Sequence, residues 1–255
     1  MKRKKQFLLF FLLLFAGAII LGFCYYADRL KEDTYEHLAE TYKSPTEKAG
    51  SNGSESAEGS EQSVDIPIDF DALQRGNPDI YAWITIPDTA IDYPILQSDT
   101  DNSYYLNHTA DHQEGFPGSI YTENLNAKDF SDPNTLIYGH NMGNGTMFSG
   151  LHQYVDPAYM EEHSEILIYT PNHIRTYRIF AAITYDNRHI MYAFDFSDVE
   201  QYQAYFDSLK AVRNMATYWD GSVAVTVDDR IITLSTCNGN DAQRFLVEAV
   251  LIDEK

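Results

Sequence analysis

From Val64 onward the chain is a succession of short apolar runs. "YAWITI", "AIDYPIL", "GSIYT", "NTLIYG", "EILIYT", "TYRIFAAITY", "VAVTV", "IITLSTC" and "RFLVEAVLI" are rich in β-branched and aromatic residues and are separated by Pro, Gly, Asn and Asp. That composition and spacing belong to strands. One segment breaks the pattern. "SDVEQYQAYFDSLKAV" (197–212) opens with Ser197 and Glu200 at capping-box spacing and places Val199, Tyr202, Phe206 and Leu209 on one helical face. Many short strands with one inserted helix predict a mainly β domain closed, or nearly closed, into a barrel. The sequence contains no internal repeat.

The chain ahead of this domain reads as three zones. "MKRKK" precedes an unbroken apolar or aromatic run from Phe7 to Tyr26. Twenty residues at about 1.5 Å each cover about 30 Å, one hydrocarbon core. Residues 1–6 are thus expected to be a cytoplasmic basic tail, 7–26 a single-pass anchor, and the rest extracellular, because the basic residues lie before the span and acids dominate after it. A cleaved signal peptide is the rival reading, since "AGA" at 16–18 resembles a cleavage site. Eight more apolar or aromatic residues follow it, however, and secretory apolar cores run only about 7–15 residues. Cys24 has the bulky Phe23 before it, against a lipoprotein site, and reads as a small apolar residue of the span. Residues 27–44 have helix-forming, mixed-charge composition, whereas 45–63 are Ser, Gly and Glu rich and read as a linker. The domain expected to fold is 64–255.

Charge narrows the partners. The formal net charge is −20, of which residues 1–5 contribute +4, leaving −24 on the remainder. Such a surface repels phosphate backbones, so no nucleic-acid role is expected.

Of two cysteines only Cys237 lies in the domain, where "IITLSTC" runs into the polar "NGND". No intrachain disulfide is available to it there, so an extracellular thiol needs another explanation. One is a small apolar residue in the core; the other is a nucleophile at a strand edge. An unperturbed thiol is only about 7% thiolate near neutral pH, so a nucleophile needs a cation nearby. If "NGNDAQ" joins two antiparallel strands, Cys237 and Arg244 flank it and face each other, their Cβ atoms roughly 4.5–5.5 Å apart. A proton shuttle is also required. Among eight histidines His140 stands out, directly after an apolar strand and opening the glycine-rich loop of "NTLIYGHNMGNGTMF".

"TLSTC", "YGHNMGNGTMF" and an arginine opening the next strand together resemble the sortases, specifically class B. "IDYPILQSDTDNSYYL", "GSIY" and "VAVTVDDRIITLSTC" follow in that family's order, so the resemblance covers roughly residues 66 to 255. It implies a sortase-type barrel of about eight strands with an N-terminal helix and one helix inserted before the cysteine strand. It implies a membrane-anchored cysteine transpeptidase of a Gram-positive cell surface. Cys237 would attack the threonine carbonyl of a C-terminal sorting signal on another surface protein. His140 would serve as general acid and base, and Arg244 would stabilise the oxyanion or substrate carbonyl. A peptidoglycan-precursor amine would then resolve the acyl-enzyme. Ser235, Thr236 and Asn141 are further substrate-binding candidates, with strand-filling hydroxyls an equally good account of Ser235 and Thr236. Two departures stand out. The connection from Cys237 to Arg244 is short, and "GSIYTENLN" stands where many relatives carry an Asp–Arg pair after "GSIF".

Two further functions fit the same residues: polymerisation of pilins through a lysine amine, and a non-catalytic surface domain that keeps the barrel for binding. "GHNMGNG" lacks the Lys-Ser/Thr of a phosphate loop, "HTADH" is a weak zinc signal, and "SDTDNS" lacks the closing glutamate of a calcium loop. Thiol chemistry needs no metal or cofactor, and none is expected.

Overall fold

The computed structural model describes residues 14–19, 22, 23, 26, 29, 31, 34–43 and 64–255. The basic tail, most of the apolar run with Cys24, and the linker 45–63 lie outside the described residues. Among the described residues no helix is long and apolar enough to cross a membrane.

Eight of the nine apolar runs form strands and residues 217–219 supply another, so the described residues hold β1 (Ile80–Thr85), β2 (Asp92–Leu96), β3 (Ile120–Thr122), β4 (Asn134–Tyr138), β5 (Glu165–Tyr169), β6 (Ile174–Asp186), β7 (Thr217–Trp219), β8 (Ile231–Cys237) and β9 (Gln243–Glu254). Their order is β5-β1-β2-β3-β4-β8-β9-β6-β7, and β5 also pairs with β6. Eight strands therefore close into a barrel, with β7 added on the outside of β6. Closure removes the sheet edges that would otherwise invite aggregation. Most pairs are antiparallel, but β2–β3 and β4–β8 are parallel. The second of these positions the site, because parallel strands end at the same rim of the barrel.

Alternation along each strand divides the apolar side chains between two cores. Ile232 and Leu234 of β8 and Phe245, Val247 and Ala249 of β9 face the barrel interior, with Trp83, Ile95 and Ile120. Ile231, Leu246 and Val250 face outward into a second core with Leu136 and Phe180. That outer core exists because α5 (Val199–Ala211) lies on it, burying Tyr202, Tyr205, Phe206 and Leu209.

Three details differ from the sequence reading. The α5 cap is Asp198, whose side chain accepts from the Glu200 and Gln201 amides. The Ser197 hydroxyl instead donates to Asp195, so no Ser197–Glu200 capping box forms. Val199 is 62% exposed, outside the face that buries Tyr202, Phe206 and Leu209. "VAVTV" is an irregular connection whose valines pack against the outer core; β7 forms upstream of it, because β6 offers a free edge to residues 217–219.

The N-terminal helical segment α1, described over residues 34–42, docks on the barrel. Tyr35 is buried, and its hydroxyl donates to the Gly118 carbonyl at 2.5 Å and lies 2.9 Å from the Ser119 hydroxyl. Lys43 adds an ion pair to Asp92 at 2.6 Å. The described residues also hold three short helices: α2 (Phe70–Gly76), α3 (Pro157–Glu162) and α4 (Ile190–Ala193).

Candidate active site

Two ladders meet at Cys237. In the β8–β9 hairpin Cys237 stands opposite Arg244, the pairing expected if "NGNDAQ" joins two antiparallel strands. In the parallel β4–β8 pair Tyr138 stands beside Ser235, and the Gly139 amide donates to the Ser235 carbonyl at 3.1 Å. Two residues beyond that last pair stand His140 on one side and Cys237, the end of β8, on the other, so both leave the barrel at the same rim. Cys237 and Arg244 face each other across the hairpin there.

Gly139 is required by packing. A Cβ there would lie 2.5 Å from Ile120 Cδ1 and 2.6 Å from Phe148 Cδ2, inside buried side chains. The strand thus leaves the barrel wall tightly packed, and the next side chain, His140, projects from a fixed base. The loop then folds back: the Phe148 amide donates to the His140 carbonyl at 2.9 Å.

The His140 ring is held on two sides. Its Nε2 lies 2.6 Å from the Leu106 carbonyl and its ring meets Phe116 edge-on at 5.1 Å. A carbonyl can only accept, so Nε2 carries the hydrogen, and Nδ1 is the nitrogen left to exchange a proton. Cys237 is a free, exposed thiol. Arg244 donates to the Gln243 carbonyl at 2.8 Å and more distantly to that of Asp241. Among the described residues no carboxylate forms an ion pair with it, so no described side chain neutralises its charge.

The secondary candidates separate. Asn141 donates through Nδ2 to the Cys237 carbonyl at 3.0 Å, a contact with the backbone of the candidate nucleophile. Ser235 lines a cavity of about 150 Å³ with Arg244, Tyr138, Glu123 and His189. Thr236 has the inward parity of Ile232 and Leu234, is 2% exposed and leaves its hydroxyl unpartnered. It fills the barrel and does not face that cavity. A larger cavity of about 420 Å³ lies further along the inserted segment. None of His140, Cys237 and Arg244 lines it, whereas Arg244 lines the smaller one.

Sequence reasoning missed the pair that walls this smaller cavity. Glu123 follows β3, His189 precedes α4, and their side chains meet at 2.9 Å. This contact uses the "TENLN" stretch; nothing in either segment alone links residues 66 positions apart. It missed His152 as well, whose Nε2 lies 3.0 Å from the Cys237 carbonyl. Tyr121 and Tyr138 stack nearby at 5.3 Å. Burial pushes both phenols well above their ordinary range, so neither is a base at neutral pH.

An exposed thiol, an adjacent uncompensated guanidinium and an imidazole with one nitrogen free are the parts of covalent acyl transfer. The family model for the sortase domain matches residues 84–252 of this chain. The chain belongs to the sortase family of cysteine transpeptidases, and within it to class B. It is 38% identical over 166 residues to Sortase B of Listeria monocytogenes, a match spanning 65% of each protein. It is 29% identical to Sortase B of Staphylococcus aureus over 98% of both chains. Among solved structures, sortase B from Bacillus anthracis in complex with AAEK1 superposes with a TM-score of 0.70 at 28% identity, covering 90% of this chain and 98% of that one. The Staphylococcus aureus sortase B–substrate complex gives 0.68 at 27% identity, over 89% and 98%. The sortase barrel and class expected from "TLSTC" and "YGHNMGNG" are thereby established.

Proposed function

We propose that this sortase is a membrane-anchored transpeptidase that cleaves a C-terminal sorting signal after threonine and joins the threonine to a cell-wall precursor amine. The observation that carries this reading is the Cys237–Arg244 cross-strand pair at the rim where His140 emerges. In acylation the Cys237 thiolate attacks the threonine carbonyl, and the guanidinium of Arg244 stabilises the oxyanion by charge-assisted hydrogen bonds. As the tetrahedral intermediate collapses, the peptide C–N bond breaks and the leaving amine takes a proton from His140 Nδ1. A thioester remains on Sγ. The incoming amine attacks it, gives its proton back to Nδ1, and releases the thiolate with formation of a new amide. Arginine suits its part because it stays charged throughout, whereas histidine must change protonation in each half-reaction. The cavity walled by Ser235, Glu123 and His189 is polar and adjoins Arg244, which suits a peptide lying upstream of the scissile bond.

The apolar run Phe7–Tyr26, with its preceding lysines and arginine, supports a single-pass anchor with the catalytic domain on the outer face of a Gram-positive cell membrane. Client surface proteins and the precursor amine would then meet at that membrane.

The test is incubation of full-length protein in detergent with a library of peptides containing Thr-Gly and Thr-Asn bonds, read by mass spectrometry. Cleavage after threonine with an acyl adduct on Cys237, absent in Cys237→Ala, is the expected result. Supplying wall-type amines and a pilin-type lysine peptide in competition identifies the acceptor. No adduct with any peptide, together with a Cys237 inert to thiol reagents, would leave a binding domain instead.

A further inference from the structure

The backbone carbonyl of Cys237 receives two side-chain donors from elements remote in sequence. Asn141 Nδ2 reaches it from the loop that begins with His140, and His152 Nε2 reaches it from the 3-10 helix Ser149–Val155, each at 3.0 Å. Since a carbonyl only accepts, His152 Nε2 bears a hydrogen in either protonation state of the ring. The ring is fixed by more than this bond. It lies on Phe245 with centroids 4.5 Å apart, and Phe245 is buried opposite Thr236 in the β8–β9 ladder. Leu151 and Tyr154 of the same 3-10 helix are fully buried and fix it to the barrel. His152 is thus mounted on the core and aimed at the peptide group that follows the nucleophile.

That peptide group has reason to be clamped. β8 ends at Cys237, and beyond it residues 238–242 form the connection to Arg244. A strand-terminal residue keeps ladder support on one side only. A trans peptide is planar, with C=O and N–H pointing in opposite directions, so fixing the Cys237 carbonyl fixes the Asn238 N–H and the frame from which Sγ projects. We propose that His152 is a positioning residue for acyl transfer, holding the Cys237–Asn238 peptide in its reactive orientation through the Nε2–H bond. It moves no proton itself; His140 retains that role. The inference rests on the transpeptidase reading above.

The experiment compares full-length wild type, His152→Phe and His152→Gln in detergent, using whichever Thr-Gly or Thr-Asn peptide the wild type cleaves. Phenylalanine keeps a ring on Phe245 and removes the donor; glutamine supplies an amide N–H without the ring. Loss of one well-formed hydrogen bond corresponds to about a three- to tenfold fall in rate. The expected result for His152→Phe is a kcat lower by about that factor, with KM and melting temperature little changed. His152→Gln should recover most of the loss. Alkylation of Cys237 by iodoacetamide should keep its wild-type pH profile in both, because the thiol itself is untouched. Wild-type kcat in His152→Phe would overturn the proposal. So would equal impairment of both variants with a lowered melting temperature, which marks packing, or a displaced alkylation profile, which marks thiol activation. A wild type that cleaves no peptide sinks the transpeptidase reading itself, a result distinct from all of these.

Discussion

Glu248 gives the sharpest test of the energetics. It lies on β9 opposite Thr233 of β8, beneath α5, and is fully buried. Its carboxyl touches the Tyr205 hydroxyl at 2.7 Å and the Thr233 hydroxyl at 2.8 Å, with no cation among its partners. Desolvation, only partly opposed by those two bonds, pushes its pKa from 4.5 up to about 7. Below pH 4.5 the folded and unfolded chains both hold this proton, and the group is neutral to stability. Between 4.5 and 7 only the unfolded chain releases it, so each pH unit subtracts about 1.4 kcal/mol from stability. Above about 7 both states release it and the loss stays near 3 kcal/mol. Glu248→Gln mimics the neutral acid and cannot titrate. Thermal unfolding of both proteins from pH 4 to pH 8.5 is the assay. The melting temperature of the variant relative to wild type should rise across that range by roughly 6–12 °C, taking about 2–4 °C per kcal/mol for a domain of this size. A gap between the two curves that does not change with pH would refute the buried-acid argument.

Other consequences are read at the site. Gly139→Ala drives a methyl into Ile120 and Phe148, so it should both destabilise the barrel by about 1–3 kcal/mol and cut turnover, measured by unfolding and peptide cleavage. Gly118→Ala places a Cβ 2.5 Å from the Leu106 oxygen, the acceptor that holds His140, at a φ of +64°. Its activity should fall although residue 118 touches none of the three site residues; wild-type turnover would release His140 from dependence on that carbonyl. Arg244→Lys should lose about 10²–10³ in kcat, because an ammonium cannot reproduce the planar fork at the oxyanion. Deleting residues 1–26 should leave peptide cleavage intact in solution while abolishing membrane retention on cell fractionation; loss of cleavage would argue against a separable anchor.

Local pattern alone determined most of the strands, α5 and the meeting of Cys237 with Arg244. Each depends on residues close in sequence, where strand composition and the reach of a short hairpin leave few alternatives. His140 was legible only as a histidine at a strand end, until its motif was matched to the sortases. What brings it to Cys237 is the parallel pairing of β4 with β8, strands nearly 100 residues apart, and parallel partners need a long crossover that carries no local register signal. The inserted segment 187–230 is that crossover's last part, and its packing on the outer barrel face alone decided that Glu123 meets His189 and that Glu248 is buried without a cation. Tertiary packing likewise turned Thr236 inward and aimed His152 at the nucleophile's carbonyl. A sequence names side chains able to do chemistry; which of them share a dielectric, a face or a hydrogen bond depends on contacts formed only when the barrel closes.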